Sequence, residues 1–244
     1  MKPVDGAPAS GQPLPAVPLA PAQARRIAIA FLPSRPWGNR STYYYARAKL
    51  GSDPLYDGVL RSLPATMLPL LDLGCGLGLL GHVMRQRGCM KPYAGVDVDA
   101  GKIATATRAA RQAGLQQVRF DHADLQCALP PHAGDVALLD VLQYLDASAQ
   151  STLLQAAAER VAPGGTLVLR TPLALGDRRD HATRMADRLA WLSGWMGTRP
   201  RHYPGRSVLQ SMLARSGLHL QTVQPLHGRT PFNSWLLVAV RPPR

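Results

Sequence analysis

LLDLGCGLGLLG, residues 70–81, sets a short apolar strand pattern directly against glycines at 74, 76 and 78 and then the helical run Leu79, Leu80, Val83, Met84. The order is strand, glycine loop, helix. Glycines at alternate positions allow positive φ and let backbone amides approach a ligand that a Cβ would obstruct. The loop therefore reads as a cradle for a small molecule, at the carboxyl end of a strand in an open α/β sheet.

The identity of the ligand turns on Asp72. Gly76, Gly78 and Gly81 also satisfy the G-x-G-x-x-G dinucleotide pattern, so a nicotinamide cofactor stays open at this point. A carboxylate at the strand end, facing the loop, would repel a pyrophosphate and attract an ammonium group. With Asp72 followed by Gly74-Cys75-Gly76-Leu77-Gly78, the chain resembles the class I S-adenosylmethionine-dependent methyltransferases, whose first motif is an acid followed by G-x-G-x-G. The resemblance implies a Rossmann-like α/β fold: a seven-stranded, mostly parallel sheet with helices on both faces and strand 7 antiparallel. It implies S-adenosylmethionine as cofactor, with Asp72 on its amino group and Gly74, Cys75, Gly76 and Gly78 around it.

Further acids fall at successive strand ends. Tyr93 to Asp99 reads as a second strand ending in acid about 20 residues beyond the glycines, a spacing suited to a ribose diol. The resemblance gives that contact to Asp97, with Val98 beside it, while Asp99 suits the N-cap of the next helix. After a third strand from Val118, Asp124 and Leu125 match the family's adenine contacts, with Asp121 as second choice. Asp135 to Asp140 is apolar enough for a central parallel strand. Asp140, Gln143 and Tyr144 then border cofactor and substrate; Gln143 stands where many relatives carry a histidine. Pro163-Gly164-Gly165 matches the family's turn before strand 5 (Thr166 to Arg170), and His219 to Val223 with Trp235 to Val240 form the last strand pair.

Outside this core, residues 1–24 are proline-rich and expected to form a disordered tail. Residues 25–67 are expected to form a helical cover, although Arg25 to Phe31 alone reads as a short strand. Ser41 precedes one helix, TYYYARAKL, with three tyrosines at 43–45, and Asp53-Pro54 reads as N-cap and first helical residue of another. The methyltransferase domain occupies 68–244, with a helical cap insertion at 173–206. In that insertion Met185, Leu189, Leu192 and Met196 lie on one helical face and Arg184, Arg188, Trp191 and Trp195 along another. A cap over the substrate is the first reading there, and peripheral membrane contact a second.

The net charge of +13 is almost wholly arginine, which favours acidic partners; codon bias of a GC-rich genome accounts for it as well. Eight arginines lie between 170 and 206. No apolar run approaches the roughly 20 residues of a membrane span, and prolines interrupt the amino terminus where a signal peptide needs an apolar core. The default is a cytoplasmic protein. Cys75, Cys89 and Cys127 have no metal-ligand spacing and read as free thiols, so no metal is expected.

Methyl transfer from a sulfonium needs an in-line nucleophile, held in place and shielded from water. Candidate catalytic residues are Tyr144, His181 and Tyr203; candidate substrate contacts are Tyr44, Gln143, Tyr144, Arg170 and Asn233, with Arg170 suited to an anionic acceptor. A small-molecule acceptor is favoured. An NAD(P)-dependent oxidoreductase, an RNA methyltransferase and a non-catalytic cofactor-binding module rank below it. For RNA the chain offers neither a separate binding module nor an N-P-P-Y-like motif at Asp140. More loosely, YYYARAKLGSDPLY and GRTPFNSWLLV are similar to methyltransferases of bacterial aryl polyene pathways. That resemblance implies an aromatic group on an acidic acyl carrier protein, docked on the arginine-rich insertion.

Overall fold

The computed structural model describes residues 15–174, 200–228 and 233–243. Its centre is a seven-stranded sheet in the order β3-β2-β1-β4-β5-β7-β6. The strands are β1 (Leu70–Leu73), β2 (Tyr93–Asp97), β3 (Val118–His122), β4 (Asp135–Leu139), β5 (Thr166–Pro172), β6 (His219–Pro225) and β7 (Ser234–Val240). β1 to β5 run parallel, and β7 inserts antiparallel between β5 and β6. Strand order reverses between β1 and β4, which opens a crevice at their carboxyl ends.

The period of two along each strand builds two cores. Leu70, Ala137, Val168, Leu236 and Val238 face one side, while Leu71, Leu73, Val136, Leu138, Leu167, Leu169 and Leu237 face the other. Burial on both faces is why these strands read as continuous apolar runs. On the first side pack α1 (Pro21–Ala28), α2 (Ser41–Ser52), α3 (Leu55–Ser62) and α4 (Leu79–Gln86). On the second pack α6 (Ala147–Glu159) and α7 (Arg206–Arg215). Between β2 and β3 runs α5 (Ala100–Gln112), whose N-cap Asp99 accepts hydrogen bonds from Gly101 N and Lys102 N, as its position suggested.

The strand expected at Arg25 to Phe31 is instead α1 followed by a 3-10 turn, Ile29–Phe31. Ile27, Ile29 and Phe31 alternate as in a strand, but Ala24, Ile27, Ala28, Ala30 and Phe31 are the buried residues, four of them spaced i, i+3, i+4, i+7. Small alanines carry the buried face and Ile29 is exposed, so a pattern weighted by side-chain size points the wrong way. Pro21 occupies the first helical turn, where its missing N–H costs nothing. The chain is already held upstream of it, within the segment expected as tail. Leu19 is buried and donates its N–H to Leu50 O, and Val17 N donates to the Asp57 carboxylate. Residues 1–14 and most of the expected insertion, 175–199, lie outside the described residues.

At the amino end of the sheet Lys91 Nζ lies 2.6 Å from Asp135 Oδ2, both side chains buried. Lys91 also donates to Thr66 Oγ1 and Leu68 O, and Asp135 Oδ1 accepts Thr166 N. The pair joins β4, β5 and the loop before β1, with its polar capacity used. Replacing Lys91 by Met strands a buried carboxylate and is expected to lower stability by about 3–5 kcal/mol in urea unfolding. Adding Asp135→Asn, which keeps an acceptor for Thr166 N, is expected to restore most of it.

Candidate active site

The glycine loop is fastened to β2 by its backbone. Gly74 N and Cys75 N both donate to Val96 O, at 2.8 and 2.9 Å, and Gly78 N closes the turn on Cys75 O. All three glycines have positive φ. Their missing side chains serve different ends. A Cβ on Gly74 would fall 2.4 Å from Val141 Cγ2, and one on Gly78 would fall 2.2 Å from the Phe120 ring. A Cβ on Gly76 would meet nothing within 4 Å. Gly74 and Gly78 therefore admit neighbouring side chains, whereas Gly76 leaves bare backbone facing open space.

Asp97 holds that bare residue in place. Its Oδ2 accepts Gly76 N at 2.8 Å and its Oδ1 accepts Asp99 N at 2.9 Å, which leaves acceptor capacity on both oxygens. Cys75 is half-buried; burial, then the charges of Asp72 and Asp97, push its thiol far above the usual range, so it is no nucleophile.

Asp72 is buried on β1, where Tyr93 donates its hydroxyl to Oδ2 at 2.6 Å. Oδ1 has no protein partner. Burial raises this carboxyl to about 7, partly offset by the Tyr93 bond and reinforced by Asp97. A buried carboxylate oxygen without a partner, on the strand that leads into the glycine loop, has free acceptor capacity of the kind a cationic donor would use. The residues present thus fit an amino-acid ammonium and a ribose on the loop side.

A second cluster lies at the carboxyl ends of β4 and β5. Arg170, buried on β5, donates Nε–H to Asp140 Oδ1 (2.8 Å) and one terminal nitrogen to Asp140 Oδ2 (2.6 Å). The same guanidinium forks onto both oxygens of Asp53, between α2 and α3. Lys49 on α2 adds a contact of 2.7 Å to Asp53 and one of 3.6 Å to Asp140, with its side chain 26% exposed. Burial works against the charge on Arg170, but Asp140 and then Asp53 outweigh it and hold the group firmly cationic. Against the same desolvation, Arg170 and then Lys49 hold Asp53 below the usual carboxylate range. Lys49 is likewise raised, its burial overcome chiefly by Asp140. Asp140 itself has φ +57°, a left-handed conformation that aspartate tolerates and that marks a constrained position. Buried Tyr56, whose phenol is kept neutral by burial and then by the charges of Tyr45 and Asp53, completes the group.

Several sequence expectations change here. Arg170 has its guanidinium committed to two carboxylates, so it is a support rather than a holder of substrate anions. The N-cap of α3 is Pro54 rather than the expected Asp53, whose Oδ1 still accepts Leu55 N; the larger role of Asp53 as partner of Arg170 spans 117 residues and has no local signature. Of the three tyrosines, Tyr45 rather than Tyr44 lies near Lys49 and Tyr56. Tyr44 is 57% exposed and stacks edge-on against Tyr43. The signal was present in the i, i+4, i+8 spacing of Tyr45, Lys49 and Asp53.

Gln143 is buried and donates to Asp140 O, and its own carbonyl accepts Arg201 N and His202 N. This draws the segment carrying Tyr203 onto the 3-10 turn of Gln143 and Tyr144. Both tyrosines are half-buried there. Asn233 is buried and tied to Leu173 O and Trp235 Nε1, so its amide joins the end of β5 to the start of β7. Asp124 is exposed and caps its own turn through Gln126 N; Leu125 is half-buried and Val98 exposed. His181 lies outside the described residues. Among the described residues no group of acids, histidines and cysteines could hold a metal. A groove of about 830 Å³ between α6 and α7, lined by Glu159, Met212, Arg215 and Arg241, touches none of these side chains.

Comparison with known proteins decides the family: the methyltransferase domain model matches residues 45–223. The chain belongs to the methyltransferase domain family. This bears out the class I S-adenosylmethionine-dependent family read from Asp72 and the loop, and S-adenosylmethionine is the cofactor of that family. Among relatives, the ubiquinone biosynthesis O-methyltransferase of Psychrobacter arcticus is 30% identical over 104 residues, 42% of this chain and 40% of that protein. Trans-aconitate 2-methyltransferase of Sinorhizobium medicae is 29% identical over 139 residues, 54% and 50% of the two chains. The chain thus spans about half or less of these relatives' length. The magnesium protoporphyrin IX methyltransferase of Synechocystis, solved with bound SAH, shares the fold, with a TM-score of 0.61, 21% identity and coverage of 90% and 93%.

Two outcomes follow for the methyltransferase domain. Asp53→Ala is expected to cost about 3–5 kcal/mol in denaturant unfolding, by leaving Arg170 half-paired, and less than additively with Arg170→Met. The raised Asp72 keeps its proton in the folded chain up to about pH 7, while the unfolded chain loses it near the ordinary value of 3.8. Its contribution to stability therefore falls as pH rises between those values and levels off above. A cationic ligand needs the ionised form, so affinity for S-adenosylmethionine should rise with pH through about 7 and lose that dependence in Asp72→Asn, as titration calorimetry would read.

Proposed function

We propose that this chain transfers a methyl group from S-adenosylmethionine to an oxygen of a small, acidic acceptor. The observation that carries the reading is the partnerless Asp72 oxygen beside a glycine loop whose open residue, Gly76, is clamped by Asp97. Bound S-adenosylmethionine supplies an electrophilic methyl group on a sulfonium. Asp72 takes the ammonium charge, Asp97 uses its remaining lone pairs on the ribose, and Asp124 with Leu125 borders the adenine. Asp140, Gln143 and Tyr144, held at the end of β4, face the acceptor.

The electrostatics of the second cluster shape the acceptor's chemistry. Lys49 stays protonated and Tyr56 stays neutral, so both can donate hydrogen bonds and neither can readily take a proton. An acceptor acidic enough to ionise unaided, a phenol or a carboxylic acid, is then oriented by Lys49 and needs no strong base. The relatives' names, ubiquinone biosynthesis and trans-aconitate, support a small molecule over RNA. An aromatic acceptor on an acidic carrier protein is the narrower form of this proposal.

Titration calorimetry with S-adenosylmethionine and, separately, NADH is the direct test. The methyl donor is expected to bind, with affinity reduced about 10- to 100-fold in Asp97→Ala, the scale of hydrogen bonds to a charged group. Binding of NADH alone would overturn the assignment. With binding established, labelled methyl donor and a panel of phenols and carboxylic acids would identify the acceptor.

A further inference from the structure

The outer surface of the helical cover combines two properties that no part of the proposed reaction uses. Between Asp5 and Asp53 the sequence contains no acid, yet it carries Arg25, Arg26, Arg35, Arg40 and Arg47, and all five are exposed. On α2 and its lead-in, Arg40, Tyr44 and Arg47 are spaced i, i+4, i+7 and share one face. Immediately upstream, the turn closed by Gly38 N on Arg35 O presents Trp37 with 95% of its surface exposed. A large indole left in water, flanked in sequence by Arg35 and Arg40 and seven residues before a half-exposed tyrosine, is an unfavourable arrangement for a surface that meets only solvent.

We propose that this face, Arg35, Trp37, Arg40, Tyr44 and Arg47, docks on an anionic phospholipid bilayer. Trp and Tyr have an apolar body and a polar edge and settle at the headgroup level, while arginine stems lie along apolar surface with their charges among the phosphates. Each cation near an anionic leaflet contributes on the order of 1 kcal/mol of attraction. The complementarity is local, because no carboxylate of this stretch opposes it. The phosphate backbone of a nucleic-acid duplex would match the arginines but offers no apolar layer for the Trp37 indole, whereas a headgroup region takes up both, which is why the bilayer is favoured. The same helix turns Tyr45 and Lys49 toward Asp53 and Asp140. A bilayer on its outer face would therefore stand beside the carboxyl-end cluster, where a membrane-dissolved phenol or carboxylic acid could pass from membrane to site.

The test is co-sedimentation of the full chain with vesicles of mixed phosphatidylglycerol and phosphatidylcholine, against vesicles of phosphatidylcholine alone. Binding is expected to the anionic vesicles only, weakened at least about tenfold in Arg35→Glu/Arg47→Glu and clearly reduced in Trp37→Ala. All these side chains are exposed, so far-UV circular dichroism and S-adenosylmethionine affinity should stay at wild-type values. The proposal is overturned by absence of vesicle binding, or by binding that Trp37→Ala leaves intact, as a purely electrostatic contact would. Loss of binding in Arg184→Glu/Arg188→Glu but not in the cover variants would overturn it too. The assay needs no methyl acceptor, so its failure is separable from failure of the methyl-transfer assignment.

Discussion

A guanidinium buried at the carboxyl end of β5 fixes the geometry on which the rest of this molecule depends. Arg170 reaches one carboxylate at the end of β4 and another between two helices of the cover. Burying a lone arginine would cost several kcal/mol, and the two forked pairs offset that cost only while both carboxylates stay in register. The pair network therefore couples the sheet to the cover: displacing α2 or α3 uncovers a charge. It also explains how Asp140 keeps a left-handed backbone, since its N–H bonds Arg170 O while its side chain bonds the Arg170 guanidinium.

The two ends of the sheet use buried ion pairs for different purposes. At the amino end, Lys91 and Asp135 are enclosed by Thr66, Leu68 and Thr166, and the charges serve only to join strands. At the carboxyl end the network stays partly open through Lys49 and Asp140. Two acids and two bases make that cluster neutral overall, so an arriving anion meets a local cation rather than a broad positive field. The partly open network lies at the carboxyl ends of the strands beside the reversal of strand order, the place where open α/β sheets bind ligands.

Within the glycine loop, the motif divides its labour. Two glycines are required by what packs on them, Val141 and Phe120, and the third by what must be left bare. Asp72 and Asp97 differ as sharply although both are acids at strand ends. Asp97 is satisfied by backbone amides that fix the loop, whereas Asp72 keeps one oxygen in reserve and a proton whose loss a cationic ligand would drive. In each case the environment, not the residue type, sets the role.

The sequence by itself determined the order of strands and helices from β1 onward, the glycine loop, the acids at strand ends, the cap Asp99 and the last strand pair. These are features of local periodicity and backbone chemistry, legible within a few residues. Only the tertiary structure decided that Arg170 is paired with two carboxylates, that Tyr45 and not Tyr44 lies near Lys49 and Tyr56, that Asn233 ties the end of β5 to that of β7, and that residues 21–28 are helical. Arg170 and Asp53 are 117 residues apart, and no local pattern reports a contact across that distance. Around α1, Ala24, Ile27 and Ala28 are buried while Ile29 in the following turn is exposed, an outcome set by which face meets the rest of the fold and not by side-chain size. Partners distant in the chain set the protonation and the orientation of these groups, and that information exists only once the chain has folded.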